Sequence, residues 1–329
     1  MSIMTISVSH LYKAYKVQQK EPGIKGSLKS IFARKYKDVQ AVADVWFSIS
    51  EGELVGFIGH NGAGITTTLK CLSGLLYPSS GQLSVLGFNP FDRKNAFLKQ
   101  ISLVMGQKNQ LWWDLPAIDT FLLNKEIYEI SDSDYQKTLN ELVDLLNVKD
   151  VLNTQVRKLS LGQRMKMELI AALIHKPKVL FLDEPTIGLD VIMQQKMREF
   201  ISEYNLRYKS TILLTSHYMD DVKELCKRVI IIDHGKIIFD GQLDDIVKIH
   251  ATHKQITVIF ENYVDPKQLS GFGEIKYFEF PKIVLSIERE KSNDVAVRLL
   301  QKFPVADINI EEPDIEDIIR TVFKGKELA

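Results

Sequence analysis

The stretch Gly59-His60-Asn61-Gly62-Ala63-Gly64-Ile65-Thr66-Thr67 decides how this chain is read. It follows the apolar run Leu54–Ile58, which has the character of a buried strand, and opens a helical pattern over residues 64–75. Strand, glycine-rich loop and helix together make a phosphate-binding loop. Gly59, Gly62 and Gly64 let the backbone turn sharply, so that several N–H groups converge on phosphate oxygens. The helix N-terminus adds roughly half a positive charge. Thr66 is placed to ligate Mg²⁺ through its hydroxyl. One position departs from the G-x-x-x-x-G-K-[ST] pattern: Ile65 stands where a lysine reaches the β- and γ-phosphates. Alone, such a loop could be an ordinary tight turn; the segments downstream argue otherwise.

A chain of 329 residues has room for one large domain and a smaller one, and 45% hydrophobic residues suit a substantial core. The 42 basic and 42 acidic residues balance, which argues against nucleic-acid binding by the whole chain. The imbalance is local. Lys13, Lys16, Lys20, Lys25, Lys29, Arg34, Lys35 and Lys37 face only Glu21 within residues 13–37. Cys71 and Cys226 fall in helical patterns and read as reduced core thiols. No run approaches the ~18–20 apolar residues that span a bilayer, and the first ten residues lack a signal layout. The expectation is a soluble intracellular chain whose membrane role, if any, needs a partner.

Strand character recurs at residues 3–9, 42–49, 82–86 and 101–105. Helical spacing of Phe121, Leu122, Leu139, Leu142, Leu145 and Leu146 predicts a small helical lobe within residues 118–151. Alternation then resumes: helix 165–174, strand 179–182, helix 194–204, strand 211–214, helix 219–226, strand 229–233. Uninterrupted apolar strands between helices predict a largely parallel sheet covered on both faces. Past about residue 249, strands at 254–260, 276–280, 283–287 and 307–310 and helices at 293–303 and 315–323 predict a small α+β appendix.

Val179-Leu180-Phe181-Leu182-Asp183-Glu184 is an apolar strand that ends in two acids, which is costly unless they meet a cation or polar partners. Downstream of a phosphate loop, Asp183 is placed to hold Mg²⁺ and Glu184 to polarise an attacking water. Leu159-Ser160-Leu161-Gly162-Gln163 precedes a helix; Ser160 is either its N-cap or part of a second anion-binding terminus. His217 and Gln107 follow strands and, alone, would be ordinary loop residues.

In this order the segments resemble the ATP-binding subunit of an ABC transporter over residues 1 to about 245. Residues 59–67 match its Walker A loop except at Ile65. Gln107 matches the Q-loop, and residues 159–163 match the LSGGQ signature with Leu161 replacing its first glycine. Residues 179–184 match Walker B, Gly188-Leu189-Asp190 the D-loop, and His217 the switch histidine. Residues 105–116, residues 310–319 and the basic insert 18–39 resemble the ABC-2 branch, whose members drive drug, lipid or polysaccharide export. The resemblance implies an α/β P-loop ABC ATPase domain over residues 1–245, with a helical subdomain at about 107–175, and an accessory α+β domain over 246–329.

It also implies a site. Two copies would meet head to tail as a homodimer and clamp ATP with Mg²⁺. Tyr15 (Tyr12 is the alternative) would stack on adenine, and Gly59, His60, Asn61, Gly62, Ala63, Gly64, Ile65, Thr66 and Thr67 would surround the phosphates. Ser160, Gly162, Gln163 and Asp190 would reach the nucleotide of the facing copy. Glu184, His217 and Gln107 would be catalytic, and Thr66, Gln107 and Asp183 would hold the metal. The expected partner is an ABC-2 type transmembrane permease, with no nucleic acid, at the cytoplasmic face of the membrane. Trp112 and Trp113 are either buried under the helical lobe or a rim for the permease. The basic insert is by default a solvated charged loop; Leu28, Ile31 and Phe32 at helical spacing among lysines and arginines suggest instead an amphipathic helix near anionic headgroups or an anionic substrate.

Ile65 removes a charge-assisted contact worth roughly 1.5–3 kcal/mol. The expectation is weakened nucleotide binding and nearly abolished hydrolysis, with a non-hydrolysing nucleotide-binding regulatory subunit, or else a soluble ABC ATPase acting on ribosomes or DNA, as the alternatives. Retention of Glu184, His217, Asp190 and Gln107 points to a recent or deliberate change at position 65.

Overall fold

The computed structural model describes residues 4–19, 35–106, 110–250, 253–313, 316, 318 and 319. The chain divides into two compact units, Met1–Gly241 and Gln242–Ala329.

The first unit holds two sheets. β1 (Met4–Gln19), β2 (Lys35–Ser50) and β4 (Ser80–Val85) form an antiparallel sheet in the order β2-β1-β4. β3 (Leu54–Ile58), β5 (Ile101–Met105), β6 (Val179–Asp183), β7 (Thr211–Thr215), β8 (Arg228–Asp233) and β9 (Lys236–Gln242) form the second, in the order β5-β6-β7-β3-β8-β9. Its pairings from β5 through β8 are all parallel. All of β7 and the first four residues of β6 are buried, as unbroken apolar runs require when both faces are covered. β9 is a half-exposed edge strand, so it lacks the buried-strand signature and goes unread in the sequence.

Period-two residues of the antiparallel sheet point inward. Ile6 and Val8 of β1 and Val45, Phe47 and Ile49 of β2 join Phe57, Phe181 and Ile230 in one core, with Leu69 and Leu72 of α1 (Ile65–Leu72). The Phe47 and Phe57 rings, 5.7 Å apart, tie the two sheets together. α1 stops at Leu72, short of the expected residue 75. Gly74 takes φ +71°, and a Cβ there would lie 2.3 Å from the Pro90 carbonyl oxygen, so the chain must leave the helix.

β1 and β2 remain paired out to Gln19↔Lys35, so both flanks of the basic insert 18–39 are strand rather than loop. Val17, Tyr36 and Val39 on this outer ladder are exposed, and without a buried face the segment shows no alternation in sequence. The amphipathic-helix reading of Leu28, Ile31 and Phe32 lies outside the described residues, as does most of the expected helix 315–323.

The helical lobe consists chiefly of α2 (Ala117–Ile127), α3 (Asp132–Leu146) and α4 (Leu161–Leu173). α3 starts where Ser131 accepts from the Asp134 N–H, carries acids in its first turn, and ends at Asn147 with φ 50°. Its buried residues Tyr135, Leu139, Leu142, Val143 and Leu146 follow the 3.6-residue period. His175, just past α4, pins the lobe to the sheet. Its ring stacks on Tyr128 at 3.8 Å, and Nε2–H donates to the Ile101 carbonyl of β5 at 3.1 Å. Nδ1 is buried and has no hydrogen-bond partner.

The second unit pairs β10 (His253–Phe260), β11 (Glu274–Glu279), β12 (Lys282–Glu288) and β13 (Val305–Glu311) as an antiparallel sheet, β11-β12-β10-β13. Ile256, Val258 and Phe260 alternate inward with Ile283, Leu285 and Ile287, and Val295 and Leu299 of the helix Ser292–Lys302 close the core. Among the described residues, no helix is long and apolar enough to cross a membrane.

Burial pushes the His175 imidazole down from its ordinary 6.5 to about 4. The unfolded chain therefore takes up this proton first, and the associated stability is intact above about pH 6.5 and lost as pH falls toward 4. Urea unfolding of the wild type and of His175→Gln, which keeps a donor for the Ile101 carbonyl, should show a steeper loss in the wild type across that window. Parallel pH profiles would refute this role for His175.

Candidate functional site

The phosphate loop is held by backbone contacts that only glycine permits. A Cβ at Gly59 would lie 2.4 Å from the Ile232 carbonyl oxygen of β8, and one at Gly64, where φ is +108°, would lie 2.4 Å from the Ala41 oxygen. The β8–β9 turn locks the loop from the side: the Gly235 N–H donates to the Ala63 oxygen at 2.9 Å, and the Ala43 N–H donates to the Gly235 oxygen at 2.7 Å. Ala63 is buried by this arrangement. α1 begins with no acidic residue in its first turn and no side-chain cap, so its N–H groups and dipole are presented to a ligand.

The loop forms one wall of a cavity of about 210 Å³, which Ala41, Asp183, Glu184, Thr215, Ser216 and His217 complete. Parallel pairing sets the carboxylates. β6 and β7 place Asp183 beside Thr215, whose hydroxyl donates to Asp183 Oδ1 at 2.8 Å. Thr66 Oγ1 lies 3.4 Å from Asp183 Oδ2. A hydroxyl and a carboxylate meeting this way form a pair of hard oxygen donors, which fits Mg²⁺. Glu184 takes φ 55°, a conformation unusual outside glycine and common at functional sites. Its N–H is bracketed by the Thr215 carbonyl and hydroxyl, each at 3.1 Å. Its side chain meets His217 Nε2 at 2.8 Å.

Ile65 lines the cavity and also packs on the hydrophobic core. The isoleucine is thus held by apolar contacts, and among the described residues no lysine or arginine lines the cavity.

The other expected site residues lie elsewhere. Ser160 caps α4 in a reciprocal box: its hydroxyl accepts from the Gln163 N–H at 3.2 Å, while Gln163 Oε1 accepts from the Ser160 N–H at 3.0 Å. Asp190 caps α5 (Val191–Tyr208), accepting from the Met193 N–H at 2.8 Å. These two segments meet through small residues. A Cβ at Gly162 would lie 2.9 Å from Met193, and one at Gly188 would lie 3.1 Å from Leu161. Ser160, Gly162, Gln163 and Asp190 do not line the cavity. Tyr15 is on the exposed outer part of β1, under the Lys13 ammonium at 5.2 Å, and is also not a lining residue. Gln107 lies outside the described residues. Trp112 and Trp113 are 54% and 47% exposed, which removes the reading that buries them under the lobe.

Two buried acids support the site and escape a reading of the sequence. Glu168 of α4 accepts from the N–H groups of Gln110 (2.9 Å) and Leu111 (3.3 Å), and burial pushes its carboxyl above the usual range against these contacts. Asp221, in α6 (Met219–Leu225), is fully buried. It accepts from Ser216 at 2.6 Å, from Thr186 at 2.5 Å and from the Arg198 guanidinium at 3.0 Å. It therefore joins the segment after Glu184, the loop carrying His217, and α5. Only the polar cluster Thr215-Ser216-His217 after an apolar strand hints at it in sequence.

The family model for the ABC transporter matches residues 42–187, and the model for the EvrA-like ABC transporter C-terminal domain matches residues 252–311. The ABC transporter ATP-binding protein NatA of Bacillus subtilis is 35% identical over 215 residues, covering 65% of this chain and 87% of the relative. The bacitracin transport ATP-binding protein BcrA of Bacillus licheniformis is 30% identical, covering 70% of this chain and 74% of the relative. A solved structure of an ATP-binding subunit of an ABC transporter superposes with a TM-score of 0.62 at 25% identity, over 74% of this chain and 92% of that one.

Removing Asp221 leaves the buried Arg198 charge without its innermost partner. Asp221→Ala is expected to cost about 3–5 kcal/mol in urea unfolding. A loss within the ~1 kcal/mol of a surface pair would show that the network contributes little.

Proposed function

We propose that this chain, which belongs to the ABC transporter family of ATP-binding subunits, powers an exporter of the ABC-2 type. The observation that carries the reading is one cavity in which residues 59–62 and 64–67 meet Asp183, Glu184 and His217. The name of BcrA, a bacitracin transport protein, supports export of drug-like cargo.

In this reading the backbone N–H groups of residues 59–67 bind the phosphates of ATP, and Tyr15 stacks on its base. Thr66 and Asp183 hold Mg²⁺, which supplies charge neutralisation at the phosphates when bound. Glu184 orients the attacking water, and the 2.8 Å contact fixes His217 beside it, where the imidazole meets the terminal phosphate. Gln107 links the metal to the permease side. Ser160, Gly162, Gln163 and Asp190 act on the nucleotide of a second copy. Their position outside the cavity supports this, since a single chain leaves them without a nucleotide to contact. ATP closes the homodimer because only the closed state makes both sets of contacts, and hydrolysis reopens it. Exposed Trp112 and Trp113 are the anchors offered to a permease at the cytoplasmic face of the membrane.

Ile65 supports a second reading, a nucleotide-binding subunit that does not hydrolyse. The glycines hold the loop whatever stands at 65, so its shape survives while its side-chain cation is lost.

Ile65→Lys is expected to raise steady-state ATP hydrolysis by about 10²–10³, the usual worth of one preorganised donor to transition-state charge. An unchanged rate would count against hydrolysis by this cavity. Glu184→Gln placed on the Ile65→Lys background should trap an ATP-dependent dimer in size-exclusion chromatography. A monomer under saturating MgATP would sink the head-to-tail clamp.

A further inference from the structure

We propose that His60, Asp233 and His234 form a binding site for a borderline divalent transition-metal ion of the Zn²⁺ class, at the rim of the phosphate loop. One ligand atom from each residue lies within 4.8 Å of the others. Two imidazole nitrogens and one carboxylate oxygen suit Zn²⁺, whereas Mg²⁺ prefers oxygen donors throughout.

The distances bracket what such an ion needs. Bonds of about 2.0–2.1 Å in a tetrahedral site put neighbouring ligand atoms about 3.3 Å apart. His60 Nε2 and Asp233 Oδ1 are 2.5 Å apart, and His234 Nε2 and the same oxygen are 3.8 Å apart. Opening the first pair slightly and swinging the second inward completes three ligands and leaves one position for water. The ring of His60 is already oriented. Nδ1–H donates to the Asn61 carbonyl at 2.9 Å, a usual outer partner of a metal-bound histidine, and Nε2, which meets Asp233 Oδ1 at 2.5 Å without an ion, would give up that contact and turn its lone pair to the metal.

The backbone around these ligands is fixed before any ion arrives. Asp233 ends β8, and His234 and Gly235 turn the chain with φ 44° and 77°. Gly235 is hydrogen-bonded to Ala63 and Ala43, and Gly59, next to His60, lies against Ile232. Besides that small opening of the His60–Asp233 pair, only His234 must move, and it is well exposed, at 78%. A bound ion would tie the phosphate loop to the β8–β9 turn through side chains as well as backbone. A His60–Asp233 hydrogen bond accounts for the first pair, and an edge contact between the two imidazole rings, 5.0 Å between centroids, keeps His234 beside the same carboxylate.

The test reads metal binding without nucleotide, so it stands apart from the ATPase reading. The full chain, tag-free and stripped by chelator, is titrated with Zn²⁺ by calorimetry and with Co²⁺ by visible absorption. One ion per chain is expected, with the strong d–d bands of tetrahedral Co²⁺, and with a thermal midpoint that rises on adding Zn²⁺. His234→Asn keeps a residue at home in the left-handed turn and removes the imidazole. This variant, Asp233→Asn and His60→Gln should each weaken binding by roughly ten- to a hundredfold or more. His10→Asn, which removes another histidine paired to an acid (Asp44, 2.7 Å), should leave binding unchanged. Absence of stoichiometric Zn²⁺ binding, or binding that survives His234→Asn intact while this variant melts like the wild type, overturns the proposal.

Discussion

The first unit depends on how closely the phosphate loop can approach the strands around it. At Gly59 and Gly64 a single added carbon would lie 2.4 Å from a backbone oxygen, and those oxygens belong to Ile232 of β8 and Ala41 of β2. A side chain there would push the loop off both sheets at once. The closeness lets Gly235 and Ala43 bond across the junction, and it sets the α1 N-terminus at the mouth of the cavity. The loop's shape is therefore a property of its backbone, independent of the side chain at 65.

Parallel strand pairing does for the acids what close packing does for the loop. Because β6 and β7 run in register, Asp183 and Thr215 are neighbours, and the Glu184 N–H falls between two oxygens of Thr215. The His217 loop springs from the same strand end, and Asp221 anchors it from beneath through Ser216. The buried Asp221 also binds Thr186 and Arg198, so the segments carrying Glu184 and His217 share one support. Such a fully satisfied polar cluster holds one geometry in an otherwise apolar setting.

The isoleucine at 65 separates two properties that a phosphate loop ordinarily combines. Binding geometry comes from glycines, N–H groups and the helix dipole, all of which are present. Side-chain charge at the phosphates comes from the lysine, and the isoleucine instead gives its methyl groups to the core. A chain can thus keep the fold and the cradle while losing much of the electrostatic term that accelerates the chemistry.

What the sequence by itself determined was everything governed by local spacing. Residues 59–67 announced strand, loop and helix; the unbroken run 179–182 announced a buried parallel strand; period two at 256–260 and 283–287 announced the second sheet. Where burial was one-sided or absent the signal failed: β9 went unread, and the paired flanks of the insert looked like loop. Only the tertiary structure decided which acids become partners of the site. Glu168 and Asp221 look like surface residues of amphipathic helices until packing buries them against N–H groups and a guanidinium. It also decided that His60 and His234, far apart in the chain, share one carboxylate. Hydrophobic periodicity records which face of an element is buried, whereas a polar partnership depends on which two elements are brought together, and that is fixed by sheet order and register.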